Sequence, residues 1–281
     1  MKKTKLFTSK KLTTILALAV LTTILVISLA ACSSKKSPED TKLTVAASVT
    51  PHAEILQVAA KELSKQGYQV EIKEFTDYIL PNKVTTDGDV DANFFQHVSY
   101  LDGYNQKNNT NLVSVGGIHY EPLCLYGGKT KSLAELADGA VIAVPNDPSN
   151  EARALLVLEQ EGLIKLRENA GLDATILDIE ENPRKLDIKE LAAEQLPRSL
   201  EDVDFAVING NFALQSDLSF EDALAVETLA DETLELYQNV LVVREDKVND
   251  PAIKALLEAL KSDAVKDFIL ESWKGAVVPI D

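Results

Sequence analysis

From Leu43 onward the hydrophobic and polar positions change period repeatedly. "LTVAASV" (43–49), the alternating "YQVEIKEF" (68–75), "VDANFF", "NLVSVGG", "EPLCLYGG", "GAVIAV" (139–144), "ATILDI" (174–179), "DFAVIN" (204–209) and "NVLVVRE" (239–245) read as strands. Helical spacing separates them. "PHAEILQVAAKELSKQG" carries Pro51 in its first turn and Gly67 past its end, "VSYLDGYNQ" and the segment holding Arg153 are further helices, and "DPAIKALLEALKSDAVKDFILESW" closes the chain with two more. Strands alternating with helices imply an α/β fold with parallel sheets covered on both faces. About ten strands are more than one compact sheet of this kind holds, so two α/β lobes are expected. Ligand sites in such an architecture favour the cleft between lobes. No repeat of fixed period points to a solenoid.

The beginning of the chain follows different rules. Met1 to Lys11 carries five lysines, and Leu12 to Cys32 is uncharged. A basic head, an apolar run and small residues have the layout of an export signal. The end of that run, Leu29-Ala30-Ala31-Cys32, resembles the bacterial lipobox, in which the cysteine is lipidated and becomes the new N-terminus. An uncleaved transmembrane anchor is the competing reading, because the run is long enough to span a bilayer. "SSKKSPEDTK", Ser33 to Lys42, is polar and aperiodic and reads as a flexible tether.

Charge narrows the partners. Five of the 28 basic residues and none of the 44 acidic ones lie in residues 1–31, so the remainder has 23 against 44, a formal charge of −21. Such a surface repels nucleic acid and anionic lipid. Membrane attachment would then fall to lipid on Cys32, where two chains or signals are needed for stable anchoring. With Cys32 modified, Cys124 has no partner for an internal disulfide and reads as a buried, unreactive thiol.

Enzyme signatures are missing. There is no G-x-S-x-G, no G-x-G-x-x-G after a strand and no P-loop, since "YGGKTKS" lacks the spacing. His52, His97 and His119 are dispersed without ligand-spaced His or Cys neighbours, so no metal site is expected. "DGDVDAN" (87–93) begins like a calcium loop, but Ala92 and Val98 stand where glycine and a bidentate glutamate are needed, and it reads as a turn feeding a strand. No spacing pairs two carboxylates for acid–base work, and no cofactor is implied.

Arg153 is more informative. Asp147 or Ser149 can cap its helix, with Pro148 suited to the first position after Asp147. Arg153 then shares a face with Ser149, Asn150, Leu156 and Val157, none of them acidic, while Glu151 lies on another face. Its guanidinium cannot shed a proton, so an anion must come from elsewhere in the fold. Either a distant acid pairs with it at the surface, or it forks a ligand carboxylate inside a cleft. "DANFFQHVSYLDGYNQ" (91–106) clusters Phe94, Phe95, Tyr100 and Tyr104. Neighbouring strand positions face opposite sides, so one of Phe94 and Phe95 belongs to the core and the other can reach the strand's C-terminal end. His97 beside them can hydrogen-bond. Asn209 and Asn239 stand at strand edges as turn residues or pocket groups, with Gly210 favouring the turn at Asn209.

These segments together, "TPHAEIL", "FTDYILPN", "DGDVDANFFQHVSYLD", "VPNDPSNEARALLVLEQEGLIKL", "ENPRKLDIKELAAEQLPRSLEDVDFAVINGNFA" and "NVLVVRED", resemble in order the methionine-binding lipoprotein family, the substrate-binding components of methionine ABC importers. The resemblance covers nearly all of Leu43 to Asp281. It implies an α/β, two-lobe, type II periplasmic-binding-protein-like fold with the ligand cleft between lobes. By that pattern residues 1–31 are a lipoprotein signal peptide, residues 32–42 the lipidated cysteine and tether, residues 43–122 plus 240–281 one lobe and residues 123–239 the other. Arg153 would hold a ligand's α-carboxylate, Asn209 and Asn239 the rest of its amino-acid backbone, and Tyr78, Phe95, His97 and Tyr100 would line its side-chain pocket. The implied partners are L-methionine, an ABC permease and ATPase complex, and the membrane through lipid on Cys32, on the extracytoplasmic face of the cell membrane. No nucleic acid and no enzymatic role are expected. A related amino acid or a short methionine-containing peptide is the alternative ligand.

Overall fold

The computed structural model describes residues 42–280, without the side chains of Asp231 and Glu232. The expected signal peptide, the lipidation site at Cys32 and nearly all of the tether lie outside the described residues. Strands β1 (Lys42–Ser48), β2 (Gln69–Phe75), β3 (Ala92–His97), β4 (Leu112–Tyr120), β12 (Gln238–Arg244) and β13 (Val278–Pro279) form one sheet in the order β13-β4-β12-β3-β1-β2. Strands β5 (Cys124–Gly127), β6 (Val141–Pro145), β9 (Asp187–Leu191), β10 (Phe205–Ile208) and β11 (Ala225–Val226) form a second in the order β11-β5-β10-β6-β9. A two-stranded ladder joins β7 (Lys165–Leu166) to β8 (Ile179–Glu181).

The sheets are mixed rather than parallel. β1 runs parallel to β2 and β3, but β12 is antiparallel to both of its neighbours, β3 and β4. In the second sheet β6 is parallel to β9 and β10, while β5 is antiparallel to β10 and β11. The expectation of all-parallel sheets failed because β12 returns late in the sequence and inserts between strands laid down earlier. Its residues Asn239–Val243 are all buried, as a central strand requires.

Helices longer than one turn cover these sheets: α1 (Glu54–Ser64), α2 (Leu80–Asp87), α3 (Val98–Asn108), α4 (Pro148–Gln160), α5 (Gly210–Gln215), α6 (Pro251–Leu260) and α7 (Asp263–Trp273). α1 turns Ile55, Leu56, Ala59 and Leu63 into the core around Val45, Ala47 and Phe94. Its regular α-turns open at Glu54 after an irregular turn through Pro51–Ala53, and Thr50, extended as the residue before a proline is, marks the break from β1. In α4, Ala152, Leu155 and Leu158 pack into the core of the second sheet with Ile142, Val144 and Phe205. "ATILDI" is not a strand. Thr175 and Asp178 form a reciprocal cap, the Asp178 carboxylate accepting from Thr175 N and Oγ1 at 2.8 and 2.9 Å. This local bonding diverts Ile176–Asp178 into a tight turn.

The chain passes between the sheets twice, through Glu121-Pro122-Leu123 after β4 and through residues 227–237 before β12. The passages touch: Glu227 N donates to Leu123 O at 2.9 Å, and Leu123 N to Glu227 Oε2 at 3.2 Å. Cys124, at the start of β5, is buried, and burial pushes its thiol up to about 12, as an inert sulfur would be.

The Gly-Gly of "YGGKTKS" serves packing. A Cβ on Gly128 would stand 2.3 Å from the carbonyl of Val203 and 2.6 Å from that of Leu200, backbone atoms that cannot step aside. Gly128→Ala should therefore cost about 1–3 kcal/mol. Gly103, exposed inside α3 with no atom within 4 Å of a built Cβ, should gain up to about 1 kcal/mol as alanine. Urea unfolding of both variants checks the contrast, which fails if the two shifts share a sign.

Candidate ligand site

Between the two sheets lies a cavity of about 350 Å³, counting its open mouth. Tyr78, Phe95, His97, Tyr100, Arg153, Asn209 and Asn239, the seven ligand-binding candidates of the sequence, all line it. Gln96, Glu121, Leu123, Asn150, Gly210 and Asn211 complete the wall.

β3 brings the first of these by an irregularity. Val240 of β12 lies opposite Gln96 and Leu241 opposite Phe94, so Phe95 is the extra residue of a bulge. Phe94 enters the core, while Phe95 faces the cavity. The bulge also moves Gln96 to the face of Asn93, whose Oδ1 accepts from Gln96 Nε2 at 2.8 Å. Asn82 and Thr85 of α2 join that buried amide network at 2.6–3.0 Å and brace the strand from behind.

The apolar half of the cavity is a cage of rings. Tyr78 sits in the turn before α2, where the Asp77 carboxylate accepts from Ile79 N and Leu80 N. Its ring lies 4.9 Å from Phe212, 5.6 Å from Tyr100 and 5.9 Å from Phe95, centroid to centroid. Tyr100 Oη donates to the Tyr78 carbonyl at 3.0 Å, and Tyr78 Oη donates to Asn211 Oδ1 across the cleft.

The polar half is a chain of amides. Asp147 caps α4 as expected, accepting from Asn150 N at 3.0 Å, and also takes the Asn150 side-chain NH₂. That fixes Asn150 Oδ1 as an acceptor for Asn209 Nδ2 at 2.8 Å and for His97 Nε2 at 3.2 Å. His97 Nδ1 accepts from Tyr100 N at 3.1 Å, so its proton is on Nε2. Burial, with Arg153 nearby, lowers His97 to about 3, and the ring is neutral at pH 7. Asn209 occupies the position before α5, so the turn and pocket readings of this residue coincide. Asn209 Oδ1 and Asn211 Nδ2 are buried without partners, one acceptor and one donor left open in the wall.

Arg153 is 2 % exposed. Its acid is Glu227, 74 residues away, which accepts from Nε at 2.8 Å and from Nη2. Nη2 also donates to the Glu121 carbonyl at 3.0 Å, and the Tyr237 ring stacks 4.3 Å from the guanidinium carbon. The surface ion pair weighed from the sequence is thereby corrected, since the pair is buried. Arg153 lines the cavity and Glu227 does not, so Glu227 grips the guanidinium from behind and Nη1 takes part in none of these bonds. Tyr120 Oη donates to the same carboxylate at 2.7 Å. Against burial, Arg153 and these donors hold Glu227 below the usual carboxylate range.

Two of the dispersed histidines meet. His119 Nε2 lies 2.7 Å from Glu121 Oε1, and His52 Nε2 lies 2.9 Å from Asn239 Oδ1 and 3.5 Å from Glu121 Oε1. This is the one group among the described residues whose donor atoms could surround a cation, all within 4.8 Å. Both Nε2 atoms face oxygen acceptors and so carry the proton, which leaves both Nδ1 atoms as acceptors, buried without a partner. Burial lowers His52 to about 4 and His119 to about 3. Local sequence rules could not find Glu121, Glu227 or this histidine pair, because no spacing links them.

The NlpA lipoprotein family model matches residues 43–281. The chain belongs to this family. The family member shares 44 % identity over 229 residues with the membrane lipoprotein TpN32 of Treponema pallidum, covering 81 % of this chain and 84 % of that one. It shares 40 % identity over 260 residues with the methionine-binding lipoprotein MetQ of Bacillus subtilis, covering 90 % and 93 %. A nutrient-binding protein of Burkholderia cenocepacia, solved bound to methionine, superposes with a TM-score of 0.80 at 45 % identity, covering 85 % of this chain and all of the other. The fold of this NlpA-family chain is therefore the two-lobe α/β fold of periplasmic substrate-binding proteins. Among the described residues no helix is long and apolar enough to cross a membrane.

Two stability tests follow from the buried charges. Glu227→Ala strands a buried guanidinium and should cost about 3–5 kcal/mol in urea unfolding; a loss under 1 kcal/mol would contradict the burial. His52, His97 and His119 have folded pKa values well below the unfolded value near 6.5. The unfolded chain therefore binds protons first, and stability present above pH 6.5 is lost as pH falls toward 3. Glu121, raised by burial, works the opposite way. At pH 5 each histidine should cost about 2 kcal/mol relative to pH 7. Stability that does not fall from pH 7 to 5 would contradict the lowered values of these rings.

Proposed function

We propose that this chain is the substrate-binding component of a methionine ABC importer, capturing the free amino acid outside the membrane. The observation that carries the reading is the two-sided cavity. On one side stands the buried guanidinium of Arg153, together with the open amide atoms of Asn209 and Asn211. On the other stand the rings of Tyr78, Phe95 and Tyr100, with Phe212 packed behind Tyr78. In this reading Arg153 supplies a charge-assisted contact to the α-carboxylate. Asn209 and Asn239 complete the backbone contacts, while Tyr78, Phe95, His97 and Tyr100 receive the side chain. Thioether sulfur against aromatic edges contributes about 0.3–1.5 kcal/mol per contact. The methionine-binding names of relatives and the methionine-bound Burkholderia protein support the ligand.

The finer parts belong to the same proposal. Residues 43–122 with 240–281 form one lobe and residues 123–239 the other, closing by hinge motion at the two passages. Cys32 carries lipid that holds the protein on the extracytoplasmic face of the cell membrane, and a permease and ATPase complex receives the ligand. The chain binds and releases; it does not catalyse.

Calorimetric titration with L-methionine tests the reading. The wild type should bind at one site, and Arg153→Ala should lose about 2–5 kcal/mol, the cost of leaving a desolvated charge unmatched. Equal affinity in the variant would remove Arg153 from the site, and no binding by the wild type would remove methionine as the ligand.

A further inference from the structure

An amino acid presents an ammonium group as well as a carboxylate, and the roles given to Arg153, Asn209 and Asn239 leave that positive charge without a counter-charge. The wall of the cavity contains one carboxylate, Glu121. It stands in the passage from β4 to β5, 6 % exposed. Its Oε1 receives His119 Nε2 at 2.7 Å and stands 3.5 Å from His52 Nε2. Its Oε2 lies over Gly210, where a Cβ would come within 2.9 Å of it. Gly210 follows Asn209, whose Oδ1 is a buried acceptor with no partner. Two acceptors, one a carboxylate and one an amide, thus stand on adjoining parts of the wall with nothing donating to the second. An ammonium is three donors and no acceptor, the group that such a pair fits.

We propose that Glu121 is the counter-charge for the ligand's α-ammonium and that His52 and His119 act as positioning residues for it. The inference rests on the amino-acid reading above and sharpens it. Arg153 Nη2 bonds the backbone carbonyl of Glu121 itself, at 3.0 Å, so the receptors for carboxylate and ammonium adjoin in the wall. An α-amino acid separates those groups by a single carbon. A dipeptide inserts a further peptide unit, about 3.8 Å between α-carbons, and carries its ammonium past Glu121. The site therefore selects free α-amino acids over amino-blocked, deaminated or peptide forms. His119 holds Glu121 without lining the cavity. His52 bridges Glu121 to Asn239 through Nε2, which couples the charge receptor to a second wall residue.

The test compares L-methionine, its deaminated analogue 4-(methylthio)butanoate and the dipeptide glycyl-methionine by calorimetry at pH 7. The wild-type chain should prefer methionine to the deaminated analogue by about 100-fold or more, since a buried charge partner is missing in the analogue. Glu121→Gln should compress that preference below about ten-fold while binding the analogue as the wild type does. His119→Gln should compress it in the same direction and serves if Glu121→Gln does not fold. Equal losses for methionine and the analogue in both variants would make Glu121 a structural residue and overturn the inference, leaving the methionine reading intact. So would a wild type that binds glycyl-methionine as tightly as methionine. Failure of the wild type to bind methionine or the analogue would instead overturn the reading on which the inference rests.

Discussion

Arg153 carries a charge it cannot lose into a place almost closed to water, and Glu227 makes that burial tolerable. The desolvation of a guanidinium costs several kcal/mol, and only a close, multiply bonded anion offsets it. Glu227 supplies two contacts and takes further donors from Tyr120 and Leu123. Because it sits in one passage between the sheets and Glu121 in the other, the guanidinium ties α4 to both. The same side chain that faces the cavity thus fixes the strip of backbone about which the sheets could turn. A ligand acid bound by Arg153 would meet a side chain that also bonds both passages between the sheets.

The rest of the polar wall is oriented from a helix cap. Asp147, Asn150, His97 and Asn209 form a chain in which each orientation is fixed by the bond before it, beginning at a helix cap. Such a surface needs little rearrangement when a ligand arrives, which lowers the ordering cost of binding. Burial keeps all three histidines uncharged at neutral pH, and Arg153 with Glu227 forms the buried ion pair at the cavity wall. The aromatic half adds shape without charge. Its rings come from three separate segments and meet only because the β3 bulge turns Phe95 toward Tyr78.

Much of the fold was legible where periodicity was strong. β1, β2, β10 and β12 appear close to the residues read as strands, and the Asp147–Pro148 cap opens α4 as its chemistry requires. Two expectations failed for physical reasons that the local pattern hides. "ATILDI" has the apolar content of a strand, but Asp178 bonds back to Thr175 and folds it into a turn. The parallel arrangement was inferred from alternation, whereas the direction of β12 depends on where the chain returns from.

The sequence by itself determined the elements, the split of Phe94 and Phe95 between core and cavity, and the demand that Arg153 find an acid outside its own helix. It could do so because side-chain direction repeats every two residues on a strand and every three to four on a helix. Only the tertiary structure decided that the acid is Glu227, that His52 and His119 converge on Glu121, and that the seven candidate residues face one space. Those are through-space relations between residues up to 187 positions apart, set by how the strands are ordered within each sheet, and electrostatic attraction acts on distance in space without regard to distance along the chain.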